Sequence, residues 1–170
     1  MDVTSRHHLR SDAVDEISES LADRLGVAIE ADTFERVELE GIDWEIVLVD
    51  GEPLAFYVDS EADSPGGPVG SQPFLTVRGA NVYQPQRRTV TVDAGAVQFV
   101  SDGADVMRPG IVAADGGIET SDLVTVDEES HGKFLAVGRA LTDGEDMTGE
   151  GGRVVESLHH VGDDLYDLSV

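Results

Sequence analysis

Cysteine is absent from the 170-residue chain, which excludes structural disulfides, thiolate metal sites and cysteine nucleophiles. Common catalytic motifs are missing too. The chain has no G-x-S-x-G, no H-E-x-x-H and no H-x-E…C-x-x-C, and its glycine-rich stretch 65–70 lacks the lysine of a P-loop. We therefore expect no catalytic residues and no cofactor.

Long apolar runs are missing as well. No segment approaches the roughly 20 apolar residues that a membrane-spanning helix requires, and the polar residues 1–10 lack the apolar region of a secretory signal peptide. We expect a cytoplasmic protein without a membrane partner.

Lysine occurs once, at Lys133, beside ten arginines and 35 acidic residues, and the net charge is −24. Each half of the chain is strongly acidic, so the charge is not confined to a tail. This composition is typical of adaptation to molar cytoplasmic salt, as in haloarchaea. At about 1 M salt the Debye length is roughly 3 Å, so repulsion from phosphate is screened and an RNA partner is not excluded. Binding must then depend on hydrogen bonds, stacking and shape, and we do not expect a DNA partner.

Two histidine pairs are the remaining candidates for a metal site. His7-His8 lies in a segment that we expect to be frayed, and His159-His160 lies in a predicted strand. Neighbouring strand residues face opposite sides of a sheet, so one ion cannot use both without distortion. We predict no metal site.

Hydrophobic periodicity predicts one amphipathic helix from Ser11 to Gly26. Ser60–Pro73 reads as a loop, and Gly79–Arg88 as a connection. Strands are predicted at Thr33–Glu40, Trp44–Val49, Pro53–Asp59 and Leu75–Arg78, with a hairpin turn at Asp50-Gly51. From Thr89 onward strands dominate, at Gly110–Ala114, Leu123–Glu128, Phe134–Leu141 and Arg153–His159, with a helical turn near Gly144–Met147. We expect an α+β protein with two domains, 1–88 and 89–170.

Residues 92–111 carry the most specific motif. Asp93 can cap a short helix, Gly103 ends it where φ is positive, and the strand-like Val106-Met107 leads into the turn Pro109-Gly110. The run V-D-A-G-A, G-A, V-M and P-G-I resembles the signature of the PUA domain, an RNA-binding module named after pseudouridine synthases and archaeosine transglycosylases.

The rest of the second half resembles the same family. Residues 132–139 match its G-x-x-x-A-x-G strand, Asp143–Met147 its small helical turn, and 152–155 its closing strand. The resemblance implies a C-terminal PUA pseudo-barrel, mainly β with short helices, after a small N-terminal α/β domain with an antiparallel hairpin.

The C-terminal residues resemble one particular group of PUA-domain proteins. Residues 158–166 are similar to the C-terminus of the malignant T-cell amplified sequence group and its archaeal relatives, with His160 and Tyr166 where that group has Tyr and Trp. Residues 44–56 and 74–78 match the group's hairpin and P-T-x-R strand more weakly. On these residues the chain is identified as an archaeal, halophilic member of the group.

In PUA domains the corner between the short helix and the next strand approaches the backbone and terminal bases of structured RNA. Glycine and alanine allow close approach there, and exposed backbone N–H groups can meet phosphate. The alternative is that Gly103 only ends the helix and that Val106 and Met107 belong to the core. The predicted RNA contacts of this corner are Gly103, Ala104, Asp105, Val106, Met107, Arg108 and Pro109.

Arg78, Arg87 and Arg88 form the only local cluster of positive charge. Arginine binds phosphate and carboxylate in a bidentate manner, so Arg87 and Arg88 are further candidate RNA contacts. The alternatives are an interdomain salt bridge, a solvated pair or a loop contact. The resemblance implies that His159 packs or hydrogen-bonds near the RNA corner, so His159 is also a candidate RNA contact.

Three functions remain open. The resemblance implies a non-catalytic RNA-binding protein that acts in translation. Proteins of this group act on the small ribosomal subunit and handle the acceptor end of tRNA. Their partner has a fold like that of the small initiation factor. The RNA is then tRNA or rRNA. The second function is the RNA-recognition subunit of a tRNA-modifying enzyme of the archaeosine transglycosylase type. The third function, a stand-alone enzyme, is least favoured. Residues 1–88 are too few for the catalytic domain of a pseudouridine synthase or a transglycosylase, which often accompanies a PUA domain.

Overall fold

The computed structural model describes residues 2–59 and 71–169, which form two β-sheets flanked by short helices. The first sheet is antiparallel throughout, and its strands are neighbours in chain order. They are β1 (Val3–His8), β2 (Phe34–Leu39), β3 (Ile42–Val49), β4 (Glu52–Asp59) and β5 (Ser71–Leu75). The predicted hairpin turn is confirmed, since Asp50 and Gly51 both have positive φ, at 50° and 84°, as a two-residue hairpin turn requires.

Helix α1 (Ser11–Leu25) packs on this sheet through the predicted apolar stripe, with Ile17, Leu21 and Leu25 buried. It ends at Gly26, whose φ of 70° is left-handed. Glycine adopts that conformation without a Cβ penalty. The predicted helix is confirmed.

The sequence predicts a frayed N-terminal segment, but the structure contains strand β1 there. Residues 3–8 pair with β2 in antiparallel register, with His7 opposite Arg36. All but one of the β1 side chains are exposed. An edge strand held mainly by backbone hydrogen bonds shows no apolar alternation in its sequence, so periodicity could not reveal it.

The prediction of a strand at Leu75–Arg78 is wrong. Strand β5 ends at Leu75, and helix α2 (Val77–Tyr83) begins after Thr76, whose Oγ1 accepts a hydrogen bond from the Gly79 N–H at 3.0 Å. A Cβ at Gly79 would overlap the Leu54 carbonyl, so glycine lets the helix lie against β4. The start of β5 also falls within the predicted loop 60–73, of which residues 60–70 lie outside the described residues.

The second sheet is a nearly closed pseudo-barrel with the strand order β7-β11-β10-β9-β6-β8. The β6–β9 pair is parallel and the other pairs are antiparallel. Helix α3 (Val97–Ser101) follows β6 and precedes β7 in the chain, and it packs against β10 and β11. Two 3-10 turns cover Arg108–Gly110 and Gly144–Asp146. The strands are β6 (Thr89–Val92), β7 (Val106–Met107), β8 (Ile111–Ala114), β9 (Leu123–Glu128), β10 (Phe134–Ala140) and β11 (Arg153–His160). The predicted fold class is confirmed.

The two sheets share part of one core. The apolar cluster under the first sheet includes Leu123 and Val137 from the second sheet, and Leu165 and Leu168 from the C-terminal tail. A second cluster fills the pseudo-barrel. The predicted division at residues 88 and 89 stays a prediction.

Candidate nucleic-acid interface

A groove of about 440 Å³ opens beside α3 and runs to β7 and the 3-10 turn after it. Its walls combine small residues, which leave room, with apolar side chains. The lining residues are Asp93, Gly95, Ala96, Phe99, Val100, Ala104, Asp105, Val106, Met107, Pro109 and Gly110. Five of the seven predicted corner residues are in this set, and Gly103 and Arg108 are not.

Two large apolar side chains in the groove face solvent. Phe99 is 68% exposed and Met107 is 48% exposed, whereas Val100 and Val106 are each 2% exposed. Adjacent helix residues point about 100° apart, so burying Val100 in the barrel core turns Phe99 outward. In the sequence, Phe99 is one apolar position of this short helix, as Val97 and Val100 are. The available signal was that a five-residue helix has room for one buried face only.

Both carboxylates that line the groove are occupied by hydrogen bonds within the protein. Asp93 Oδ1 accepts from the Ala96 N–H at 3.0 Å. Asp93 therefore closes the turn that precedes α3, and the cap that the sequence predicted on the first turn of α3 itself is not formed. Asp105 accepts from Arg153 Nη1 at 2.9 Å and from the Ser157 N–H at 2.8 Å. The groove therefore presents an apolar surface with internally satisfied acids.

Gly103 shapes the end of α3. Its φ is 95°, as the sequence predicted, and a Cβ at this position would lie 2.7 Å from His160 Nε2. The His160 ring is in turn oriented by the carbonyls of Ser101 and Val161, which accept from Nδ1 at 3.0 Å and 2.9 Å. Glycine thus allows α3 and β11 to meet beneath the groove.

Arg108 is engaged by the protein itself. Its Nε donates to the Asp146 carbonyl and its Nη1 to the Gly151 carbonyl, both at 2.8 Å. Its backbone N–H also donates to the Gly152 carbonyl at 2.9 Å. The guanidinium therefore ties the glycine-rich loop 149–152 to the 3-10 turn and lies outside the groove wall.

Arg87 and Arg88 lie at the join between the two sheets. Arg87 Nη1 donates to the Asp23 carbonyl at 2.9 Å, and Arg88 Nη1 donates to the Arg24 carbonyl at 2.7 Å. The last carbonyls of a helix lack partners within it and favour nearby cations. The arginine pair therefore caps the C-terminus of α1. Arg88 Nε also bonds Asp122 Oδ2 at 3.2 Å, and both residues belong to the second half of the structure. Neither arginine lines the groove.

Arg78 also reaches the tail: its Nη1 donates to the Leu168 carbonyl at 2.9 Å. The predicted arginine cluster thus divides between the tail and the end of α1.

His159 is fully buried between the two halves. The N–H of Val77 donates to its Nε2 at 3.1 Å, so the ring proton lies on Nδ1, which donates to Asp163 at 2.7 Å. The ring also meets Phe56 edge-on, with 5.7 Å between centroids. The structure therefore places the imidazole in the core, with both nitrogens occupied, and a direct contact to RNA would require its exposure.

Asp163 is the partner that sequence reasoning missed. Burial acts to raise the pKa of its carboxyl, but hydrogen bonds from His159 and from the backbone N–H groups of His160 and Tyr166 outweigh burial, so the pKa is lowered. The available signal was the spacing of His159 and Asp163 across the turn after β11.

The described residues show neither a membrane span nor a metal cluster. No helix in 2–59 and 71–169 is long and apolar enough to cross a bilayer. Within the same ranges, no three or more His, Cys, Asp or Glu side chains are grouped to hold a metal ion.

Residues 88–161, which contain the groove, match the family model of the PUA domain. An uncharacterized protein of Methanocaldococcus jannaschii is 39% identical over 127 residues, covering 74% of this chain and 72% of that protein. The chain belongs to the PUA-domain protein family. A translation machinery-associated protein 20, from Saccharomyces cerevisiae, is 35% identical over 89 residues, covering 48% of this chain and 49% of that protein. The chain thus spans about half of this yeast relative.

Solved structures extend the match to both sheets of this PUA-domain protein. A hypothetical protein of Pyrococcus horikoshii superposes with a TM-score of 0.79 at 31% identity, over 98% of this chain and all of that one. A conserved PUA domain protein of Thermoplasma acidophilum superposes with a TM-score of 0.77 at 27% identity, over 95% of this chain and 97% of that one. The N-terminal sheet and the pseudo-barrel therefore occur together in these relatives.

Proposed function

We propose that this PUA-domain protein binds structured RNA in translation, and that its groove holds the single-stranded acceptor end of tRNA. The observation that carries the proposal is that one groove, lined in part by small residues, exposes two large apolar side chains, Phe99 and Met107. The name of the yeast relative, translation machinery-associated protein 20, supports the biological setting.

Stacking is the interaction that this surface offers. A base on an aromatic side chain contributes about 1–3 kcal/mol, and unpaired bases present their faces where a duplex presents mostly phosphate and shape. Of the two lining acids, Asp105 is paired with Arg153, which offsets its charge, and Asp93 accepts one hydrogen bond from the Ala96 N–H. The groove therefore fits an unpaired end better than a duplex.

The role is one of binding, without a catalytic step. The protein acts in the cytoplasm on the small ribosomal subunit during initiation or recycling, beside a partner with a fold like that of the small initiation factor. Arg87, Arg88 and His159 contribute by fixing the N-terminal sheet on the pseudo-barrel, so that both present one surface to the ribosome and tRNA.

Removal of the terminal C-C-A from a tRNA tests this function. We expect the trimmed tRNA to bind about tenfold more weakly, which corresponds to about 1.4 kcal/mol, in fluorescence anisotropy at molar KCl. Equal affinity for intact and trimmed tRNA would contradict the acceptor-end role. Co-purification of a tRNA-modifying enzyme instead of ribosomal proteins would then favour the modification-subunit alternative.

A further inference from the structure

A second, smaller recess lies where the two sheets join, away from the groove. It has a volume of about 150 Å³ and is lined by Arg24, Gln72, Phe74, Arg88, Asp122 and Leu123. These residues come from the last turn of α1, strand β5, the link before β6 and the start of β9. Pockets for drug-sized ligands usually measure about 300–1,000 Å³, so this recess fits a small ion or group.

Arg24 is the unusual member of the set. Its side chain is partly buried, and among residues 2–59 and 71–169 its guanidinium donates no hydrogen bond. Burial, followed by the positive charge of Arg88, lowers the pKa of Arg24, and Asp122 offsets this only in part. A partly buried cation beside a second cation, with no acceptor among the described residues, gains from an anion that binds in the recess.

Arg88 is held rigidly next to it. Its φ is 53°, its backbone N–H donates to Asp115 Oδ2 at 2.7 Å, and two of its side-chain nitrogens bond Asp122 and the Arg24 carbonyl. Asp122 Oδ2 is shared with the N–H of Glu119 at 2.9 Å. The one carboxylate that lines the recess therefore already accepts hydrogen bonds from Arg88 and Glu119, while two arginines line the recess in a chain whose net charge is −24.

We propose that this recess is a binding site for a phosphate-type oxyanion, with Arg24 as the principal ligand and Arg88 and the Gln72 amide beside it. Guanidinium groups bind tetrahedral oxyanions through paired, charge-assisted hydrogen bonds. An anion here would neutralise the repulsion between the two arginines. It would also bridge α1 to β9, and so strengthen the join between the N-terminal sheet and the pseudo-barrel.

Thermal unfolding of the full chain tests the site. Potassium phosphate is titrated against KCl at constant ionic strength, so that charge screening is equal in both series. Phosphate at about a hundred times its Kd should raise the Tm of the native chain by roughly 5–10 °C, and the rise should saturate. A native chain whose Tm responds equally to phosphate and chloride would overturn the proposal.

The variant Arg24→Gln separates specific binding from the general stabilisation that excluded anions produce. It should lose the saturable rise, and its Tm without phosphate should equal or exceed that of the native chain, because the repulsion from Arg88 is gone. The matched control is Arg36→Gln, which removes an arginine paired with Glu45 on the first sheet and should keep the rise. A saturable rise that persists in Arg24→Gln would overturn the assignment.

Two sources of phosphate fit this chemistry, an RNA phosphodiester and a free phosphate. If RNA supplies it, Arg24→Gln weakens tRNA binding about threefold or more, and inorganic phosphate competes with tRNA for the native chain. If free phosphate supplies it, tRNA binds both proteins equally. Either result keeps the site. Loss of C-C-A discrimination is a separate result, since Arg24 is not among the groove residues.

Discussion

At the scale of single residues, two neighbours in the sequence differ completely in solvent exposure. Val100 enters the core of the pseudo-barrel and Phe99 stands in solvent, although both are apolar members of one five-residue helix. An exposed phenylalanine beside an exposed methionine is costly in water. Such a patch, rimmed by polar residues, is typical of a binding site.

Replacing Phe99 with alanine should weaken binding of intact tRNA about tenfold, because one stacked base contributes about 1–3 kcal/mol. Anisotropy at molar KCl measures the change. The control is Val82→Ala, which shortens a 57% exposed side chain on α2 outside the groove and should leave affinity unchanged. Equal losses for the two variants would show that general surface hydrophobicity, not stacking, is being measured.

Gly103→Ala should lower the free energy of unfolding by about 2 kcal/mol, since a strained backbone costs on the order of 1–3 kcal/mol. The new Cβ would also lie 2.7 Å from His160 Nε2. Chemical denaturation in high salt measures the loss. Gly116→Ala is the control, because nothing lies within 4 Å of its Cβ position. A stable Gly103→Ala protein would show that α3 and β11 can shift apart.

At the scale of elements, the end of one helix and one buried histidine add hydrogen bonds to the apolar core that the two halves share. Four carbonyls at the C-terminus of α1 accept from Gly26, Gln86, Arg87 and Arg88. His159 links the start of α2 to the tail. A helix end and a buried ring that are both fully hydrogen-bonded hold an orientation more firmly than apolar contact alone.

Asp163→Asn tests this join through its pH dependence. The folded-state pKa of Asp163 lies below its ordinary value of 3.8, so its contribution is complete above about pH 4 and is lost as pH falls through the folded pKa. Near pH 7 the variant should unfold with about 2 kcal/mol less free energy, as charge-assisted hydrogen bonds are lost. That difference should shrink as pH falls below about 4.

Asp164→Asn is the matched control, because Asp164 is adjacent and exposed. Its free energy of unfolding should stay within about 0.5 kcal/mol of the native value. A gap between native chain and Asp163→Asn that stays constant from pH 7 to pH 3 would show that the Asp163 carboxylate charge does not stabilise the join.

At the scale of the whole molecule, the net charge of −24 opposes the folded state through self-repulsion. The few arginines are used locally: Arg6, Arg36, Arg88 and Arg153 each pair with a carboxylate. Most acidic residues therefore have no cation to offset them, and screening by solvent salt must replace it.

The Tm should accordingly rise as KCl increases from about 0.1 M to molar concentrations, because the Debye length falls from about 10 Å to about 3 Å. Scanning fluorimetry or circular dichroism measures the shift. A Tm that is equal or higher in dilute buffer would remove the argument for adaptation to high salt. It would also remove the argument that molar salt screens the repulsion between this acidic chain and the phosphates of RNA.

The sequence by itself determined the local features. Helix α1, the Asp50-Gly51 hairpin and the positive φ of Gly103 follow from side-chain periodicity and backbone sterics, which act within a few residues. The motif of residues 92–111 also located the corner at which the groove opens, by its resemblance to the PUA domain.

Only the tertiary structure decided what long-range contacts control. Strand β1 exists because β2 offers it a backbone edge, and α2 packs against β4 because Gly79 leaves room for the Leu54 carbonyl. Burial of Val100 turned Phe99 to solvent, and the approach of the two sheets buried His159 and placed Arg24 and Arg88 in one recess. These outcomes depend on partners distant in the chain, whose positions no local pattern encodes.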